Sequence, residues 1–213
     1  MKLINLWNLM TSRKRFRNYY DKSKYVENML RTHLVNLCKE FNIDEVPFRC
    51  STADNLLYNA NIMRAAQGIE PRTTDLARDS FLTTMHACGF SNGITHNQLI
   101  GIIANMDNIM NIVKYADSPY LVDKFNDTFK LLMKHEIGHV IVESSIYEDM
   151  SPNEANDLIN SRKLEEERAM IELRKLEDNR LFAEGYFQIR RESAANAAVG
   201  ISLATICDLY AKL

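Results

Sequence analysis

The sequence predicts a mainly α-helical chain with one small sheet. Apolar residues recur at helical spacing over much of its 213 residues, and its 7 glycines and 4 prolines are too few for a turn-rich β-sandwich. Hydrophobic residues make up 46% of the chain, so a sizeable core can form. We therefore expect an α+β arrangement in which helices dominate and the sheet is minor.

The pattern along the chain assigns most of these elements. Helices are expected over about 22–41 and 53–67, from residue 73 or 74 to about 87, and from Pro119 to about Ser145. A short strand is expected near 46–50. The segment 93–116 fits a helix, although 94–103 also fits a strand. A long charged helix over about 155–190 and an alanine-rich helix over about 192–211 complete the chain.

Composition limits the domain organisation and the compartment. Residues 1–21 form an apolar and basic arm containing SRKRFRNYY, and residues 22–213 are expected to form a single domain. No apolar run reaches the about 20 residues needed to span a bilayer. The four cysteines are widely spaced, which argues against a disulfide scaffold or a thiolate zinc site. We expect a cytoplasmic protein.

One motif carries specific chemistry. His135-Glu136-Ile137-Gly138-His139 is an H-E-x-x-H sequence, flanked by apolar residues that predict a buried helix. Residues four apart lie on one helix face, so both imidazoles can point to one Zn²⁺. Glu136 would then act as the general base on a zinc-bound water. Gly138, which lacks a side chain beside the site, would let a second helix approach closely. The competing interpretation is a core helix with two incidental histidines.

These residues resemble the H-E-x-x-H motif of the zincin metallopeptidases, a superfamily whose members usually take a third ligand, often glutamate, from a downstream helix. The longer metzincin motif needs glycine at position 142 and histidine at 145, where this chain has Val142 and Ser145. The resemblance therefore implies a gluzincin-like helical core, in which the motif helix packs against a long downstream helix.

The third ligand has to be found among many downstream carboxylates. On a continuous helix over 155–190, Glu177 would lie within about 40° of Met170, Leu173 and Leu181, in the middle of an apolar stripe. A buried carboxylate there needs a partner or a metal. The string from Leu176 to Arg180 is also similar to an L-E-D-x-R segment of some phage-associated and bacterial zincin-like proteins. If a phage encodes the protein, this resemblance implies a location in the host cytoplasm or in the virion. Glu177 is the predicted ligand, Asp178 is its closest competitor, and another carboxylate stays open.

A donor for the reaction's oxyanion is harder to place from sequence. Arg180, about 60° from Glu177 on the same helix, is the predicted catalytic donor. The alternatives are His86, His96, Tyr147 and Tyr186.

Two functions follow from these residues. The first is a zinc metallopeptidase acting on peptide or protein substrates, with His135, His139 and Glu177 as ligands and Glu136 and Arg180 as catalytic residues. The second is a non-enzymatic, phage-type assembly protein with a structural or relic zinc site. The N-terminal arm and the small residues of the C-terminal helix suit an oligomer or an assembly partner. A net charge of −2 makes nucleic acid a less favoured partner.

Overall fold

A computed structural model describes residues 15–66, 85–91 and 98–212. Within those ranges the chain is mostly helical with one small sheet, so the predicted fold class is confirmed. The helices are α1 (Tyr19–Glu40), α2 (Ala53–Ala66), α3 (Met106–Ile112), α4 (Pro119–Val122), α5 (Asn126–Asp149), α6 (Pro152–Leu173), α7 (Asn179–Gln188), α8 (Arg190–Ala198) and α9 (Leu203–Lys212), with a 3₁₀ turn at Asp123–Phe125.

The sheet has three described strands, β1 (Phe48–Ser51), β2 (Met85–Ser91) and β3 (Gln98–Asn105), in the order β1-β3-β2. Strand β3 is central, running parallel to β1 and antiparallel to β2. Ile102 of β3 is opposite Phe48 on one side and Ala87 on the other, and its side chain is fully buried. The sheet therefore presents β2 as an edge strand close to the motif helix.

Helix α5 carries the H-E-x-x-H motif through the middle of the molecule. Residues 135–140 are all buried, so this stretch of the helix has no solvent-facing side. It is surrounded by α1, by β2 and β3, and by α8. A helix enclosed on all sides has to be apolar around its circumference unless its polar groups have partners. The buried motif therefore needs partners from these neighbours.

The closest of these neighbours is α8, which contacts α5 at Gly138. A methyl group built on Gly138 would lie 2.1 Å from the backbone oxygen of Ala195, a separation that no folded chain tolerates. The expectation that Gly138 admits a second helix is confirmed, and the small residue that it meets on that helix is Ala195. Gly200 ends α8 with a φ of +67°, while Ile201 N–H donates to the Asn196 carbonyl at 2.9 Å.

The prediction of one long downstream helix over 155–190 is wrong. This region forms two helices, α6 and α7, separated by a break over residues 174–178. Asp178 caps the new helix, because its carboxylate accepts hydrogen bonds from the backbone N–H groups of Arg180 and Leu181 at 2.7 and 3.0 Å. The terminal helix predicted over 192–211 is likewise two helices, α8 and α9. Among the downstream helices, the motif helix packs mainly against the short α8 and not against one long helix.

Of the other expected elements, one is met in part, one is contradicted at its end, and some residues lie outside the described ranges. The ambiguous segment 93–116 contains a strand, β3, followed by a helix, α3, so both interpretations hold in part. The helix expected from residue 73 or 74 to 87 is contradicted at its end, where β2 begins at Met85, and the rest of it lies outside the described residues. Residues 1–14 of the predicted arm also lie outside them. No described helix is both long and apolar enough to cross a bilayer.

Replacing Gly138 with alanine is expected to destabilise the fold. Alanine favours helix by about 1 kcal/mol relative to glycine, but its methyl group would force α8 away from α5. Overpacking of this kind costs about 1–3 kcal/mol, and a backbone carbonyl cannot rotate aside as a side chain can. Urea denaturation of Gly138→Ala should show a net loss of stability.

The matched control is Gly185→Ala on α7. A methyl group there meets the end of the flexible Leu173 side chain at 2.3 Å, and that side chain can rotate away. This variant should lose less stability than Gly138→Ala. Equal effects of the two substitutions would contradict the role assigned to the α5–α8 contact.

Candidate metal centre

The two histidines of the motif point their Nε2 atoms at the same place. They lie one turn apart on α5, and their Nε2 atoms are 3.2 Å apart. Both side chains are buried, His135 being 6% and His139 3% exposed. Two imidazole nitrogens so close together need a shared proton or a cation between them, because their lone pairs otherwise repel.

Helix α8 supplies the third member of this group. Glu192 Oε2 lies 3.0 Å from His135 Nε2 and 3.3 Å from His139 Nε2, so the three atoms form a nearly equilateral triangle. One turn later, Asn196 Oδ1 lies 2.8 Å from His135 Nδ1. With Nδ1–H donating to this oxygen, the neutral imidazole of His135 carries its lone pair on Nε2, the nitrogen that a cation between the three residues would bind.

The triangle has the dimensions of a metal's ligand set. Tetrahedral zinc binds nitrogen and oxygen at about 2.0–2.2 Å, which places neighbouring ligand atoms about 3.3–3.5 Å apart. The three observed separations of 3.0, 3.2 and 3.3 Å are close to that spacing. His135, His139 and Glu192 are the group of described residues whose ligand atoms converge in this way. They could hold a divalent cation and leave a fourth position open.

The pKa shifts of the three groups favour one positive charge, on His135, beside an ionised Glu192. Burial opposes a charged imidazolium, but Glu192 outweighs this effect and raises the pKa of His135 to about 9. Burial lowers the pKa of His139 to about 4. Burial alone would raise the pKa of Glu192, yet its contacts with both imidazoles hold that pKa well below the usual range. A proton on His135 Nε2 can make one hydrogen bond, to Glu192 Oε2, whereas a cation could interact with all three atoms of the triangle.

Glu136 lies beside the triangle and has a partner of its own. Its Oε2 accepts a hydrogen bond from the backbone N–H of Ala87 in β2 at 2.7 Å. Burial raises the pKa of Glu136 to about 7, although His135 lowers it and Glu192 raises it further. A carboxyl group with a pKa near neutrality can both accept and release a proton, as a general base requires.

Two of the site residues predicted from sequence are not brought to this cluster. Glu177 is exposed in the break between α6 and α7, and Arg180 is exposed and paired with Glu184 along α7 at 3.0 Å. The prediction of Glu177 and Arg180 is wrong because it requires one continuous helix, and the helix is interrupted between Leu173 and Asn179. Asp178, the competitor, caps α7. Glu192 occupies the position that was assigned to Glu177.

The sequence contains signals for Glu192 that become visible only when the motif helix and the C-terminal segment are considered together. Glu192 and Asn196 are polar residues four apart in a segment of small residues, which matches the spacing of His135 and His139. Together with Gly138, that spacing predicts two helices in close contact, each presenting two polar groups. Of the alternative donors, Tyr186 is buried with its hydroxyl 3.4 Å from Glu166, and Tyr147 bonds Asn156 at 2.6 Å. The His86 side chain and all of His96 lie outside the described residues.

An open groove along α6 is separate from the cluster. It is lined by Asp157, Ser161, Arg168 and their neighbours on that helix and includes none of the motif residues. The candidate site is therefore the buried cluster between α5 and α8.

Comparison with known proteins adds no relative: no family profile, no curated sequence and no solved structure matches the chain. The resemblance to zincins thus stays a prediction that depends on the motif and its geometry.

Substitution of Glu192, and not of Glu177, is expected to weaken zinc binding. Loss of a ligand should cost at least the 10–100-fold in affinity that partners outside the ligand set typically contribute. Zinc affinity, measured by competition with a chromophoric chelator, should fall for Glu192→Ala and match wild type for the exposed Glu177→Ala. The reverse ranking would restore the prediction made from sequence.

Proposed function

We propose that this protein is a zinc-dependent hydrolase of the peptidase type. The observation that carries the proposal is the triangle of His135 Nε2, His139 Nε2 and Glu192 Oε2, with the carboxylate of Glu136 beside it. Two histidines, one carboxylate and an open position are the ligand pattern of catalytic zinc. The H-E-x-x-H spacing supports peptide or protein as the substrate class.

In the proposed site, the position of each residue determines its role. His135, His139 and Glu192 would hold the metal, and Asn196 keeps His135 in the tautomer that leaves Nε2 free to bind it. Zinc, when bound, would acidify a water molecule and polarise the scissile carbonyl. The close packing of α5 on α8 fixes the distance between the two groups of ligands.

Glu136 moves the proton. Its carboxylate would take one proton from the attacking water as the oxygen–carbon bond forms, and would pass that proton to the amine nitrogen as the carbon–nitrogen bond breaks. The products are a carboxylic acid and an amine, so one water is consumed for each peptide bond. The Ala87 N–H bond to Oε2 fixes the carboxylate's orientation and leaves Oε1 as the atom for this transfer.

Glu136→Gln is expected to abolish hydrolysis while zinc stays bound. The amide oxygen of glutamine can still accept the Ala87 hydrogen bond, so the fold should be preserved, but the side chain no longer accepts a proton. General-base catalysis contributes about 10²–10⁴-fold, and hydrolysis of a casein or mixed peptide substrate should fall by that factor. Zinc content per chain, measured by mass spectrometry, should match wild type.

Two results would contradict the proposal. A purified wild-type protein that acquires no zinc on incubation with the ion cannot use this mechanism. Equal hydrolysis by wild type and Glu136→Gln would show that any observed activity has another source.

A second function is favoured by the burial of the cluster. Glu136 is 7% exposed, Glu192 is 1% exposed, and a strand amide already bonds Glu136. A cation in such a site could serve only to fix α8 on α5 in a non-enzymatic assembly protein. In that case zinc raises the melting temperature according to its free concentration relative to Kd, and the wild-type chain cleaves no peptide in a diverse library. Cleavage that depends on Glu136 excludes this alternative.

A further inference from the structure

Arg191 joins three carboxylates from three helices at the edge of the candidate metal centre. Its Nε and Nη2 donate to Glu143 Oε1 on α5 at 3.1 and 2.9 Å. Its Nη1 donates to Glu166 Oε2 on α6 at 2.9 Å and to Glu192 Oε1 on α8 at 3.3 Å. The guanidinium is largely buried, with a side chain 13% exposed. Arginine suits this position because its planar fork presents several donors at fixed angles.

The two oxygens of Glu192 consequently have different surroundings. Oε2 faces the two histidine nitrogens, whereas Oε1 faces Arg191. A carboxylate with both oxygens available can bind a metal through one or through both of them. Here the guanidinium engages Oε1, so only Oε2 is directed to the site.

This arrangement does not follow from the local sequence alone. Adjacent helix residues point about 100° apart and do not normally face each other. Arg191 reaches Glu192 because Glu143 and Glu166 hold its guanidinium from the other side. Glu143 lies four residues after His139, so the histidine helix itself sets the position of the arginine. The second oxygen of Glu143, Oε2, has no hydrogen-bond partner among the described residues, so Arg191 is the main group that compensates the buried charge of this carboxylate.

We propose that Arg191 is a positioning residue that restricts Glu192 to binding the metal through Oε2 alone. This inference depends on the proposed zinc site. By holding Oε1, the guanidinium keeps the fourth coordination position open for water, which a catalytic zinc site requires. The guanidinium itself touches neither substrate nor metal.

Cobalt substitution tests this role directly. Cobalt(II) with four ligands absorbs visible light much more strongly than cobalt with five or six, so the spectrum reports the coordination number. We expect the intense bands in the cobalt-loaded wild-type protein and a several-fold weaker spectrum in Arg191→Met, where Oε1 is released to join the metal. Arg191→Lys keeps the charge but not the fork, and should give an intermediate spectrum.

Two further variants keep the test decisive. Arg190→Met, at the exposed neighbouring position, should leave the spectrum unchanged. If Arg191→Met does not fold, Glu143→Leu decides, because it removes the main anchor of the guanidinium and should weaken the spectrum in the same direction. Wild-type spectra in both variants would overturn the positioning role while leaving the metal site intact. A wild-type chain that binds neither cobalt nor zinc would overturn the proposed function, and the inference with it.

Discussion

The contact between Gly138 and the backbone of Ala195 is the constraint on which the site depends. It lets α8 approach α5 so closely that a single methyl group would not fit between them. At this separation, residues four apart on one helix meet residues four apart on the other: Glu192 reaches both histidines, and Asn196 reaches His135. A wider separation would leave the same polar residues buried without partners, which costs about 1–3 kcal/mol for each unsatisfied group.

The main features of the fold were predictable because they depend on local pattern. Apolar spacing, few glycines and the capping residues of individual helices are read from short windows, and they predict a mostly helical chain. The breaks inside the charged region were harder to predict, because its composition suits a helix throughout. Asp178 ends that continuity by accepting two backbone hydrogen bonds, and an aspartate within a charged run looks the same whether it caps a helix or faces solvent.

The candidate site was predicted in the part that is local and missed in the part that is not. His135, Glu136 and His139 are identified by spacing along one helix, and the structure brings all three to one buried cluster. The acidic partner comes from 53 residues beyond His139, so its identity depends on how α8 packs against α5. The prediction of Glu177 required one continuous helix, and a break in a helix changes the direction in which every later side chain points. The small residues that face Gly138 indicate the helix that carries the acidic partner, and this indication does not require a continuous helix over 155–190.

The charge balance gives the cluster its chemical direction. Three carboxylates, those of Glu143, Glu166 and Glu192, contact the guanidinium of Arg191, and the buried carboxyl group of Glu136 lies close enough for Arg191 to lower its pKa. Glu192 also lies in the first turn of α8, where the helix dipole favours a negative charge. Burying several carboxylates together is costly unless protons or cations compensate their charge. Protons on the carboxylates would remove the negative charge but would also occupy lone pairs that accept hydrogen bonds. A divalent cation of the proposed kind would neutralise the charge and use the same lone pairs as ligands. The arrangement that makes the cluster expensive to fold is therefore the one that would make it bind a metal.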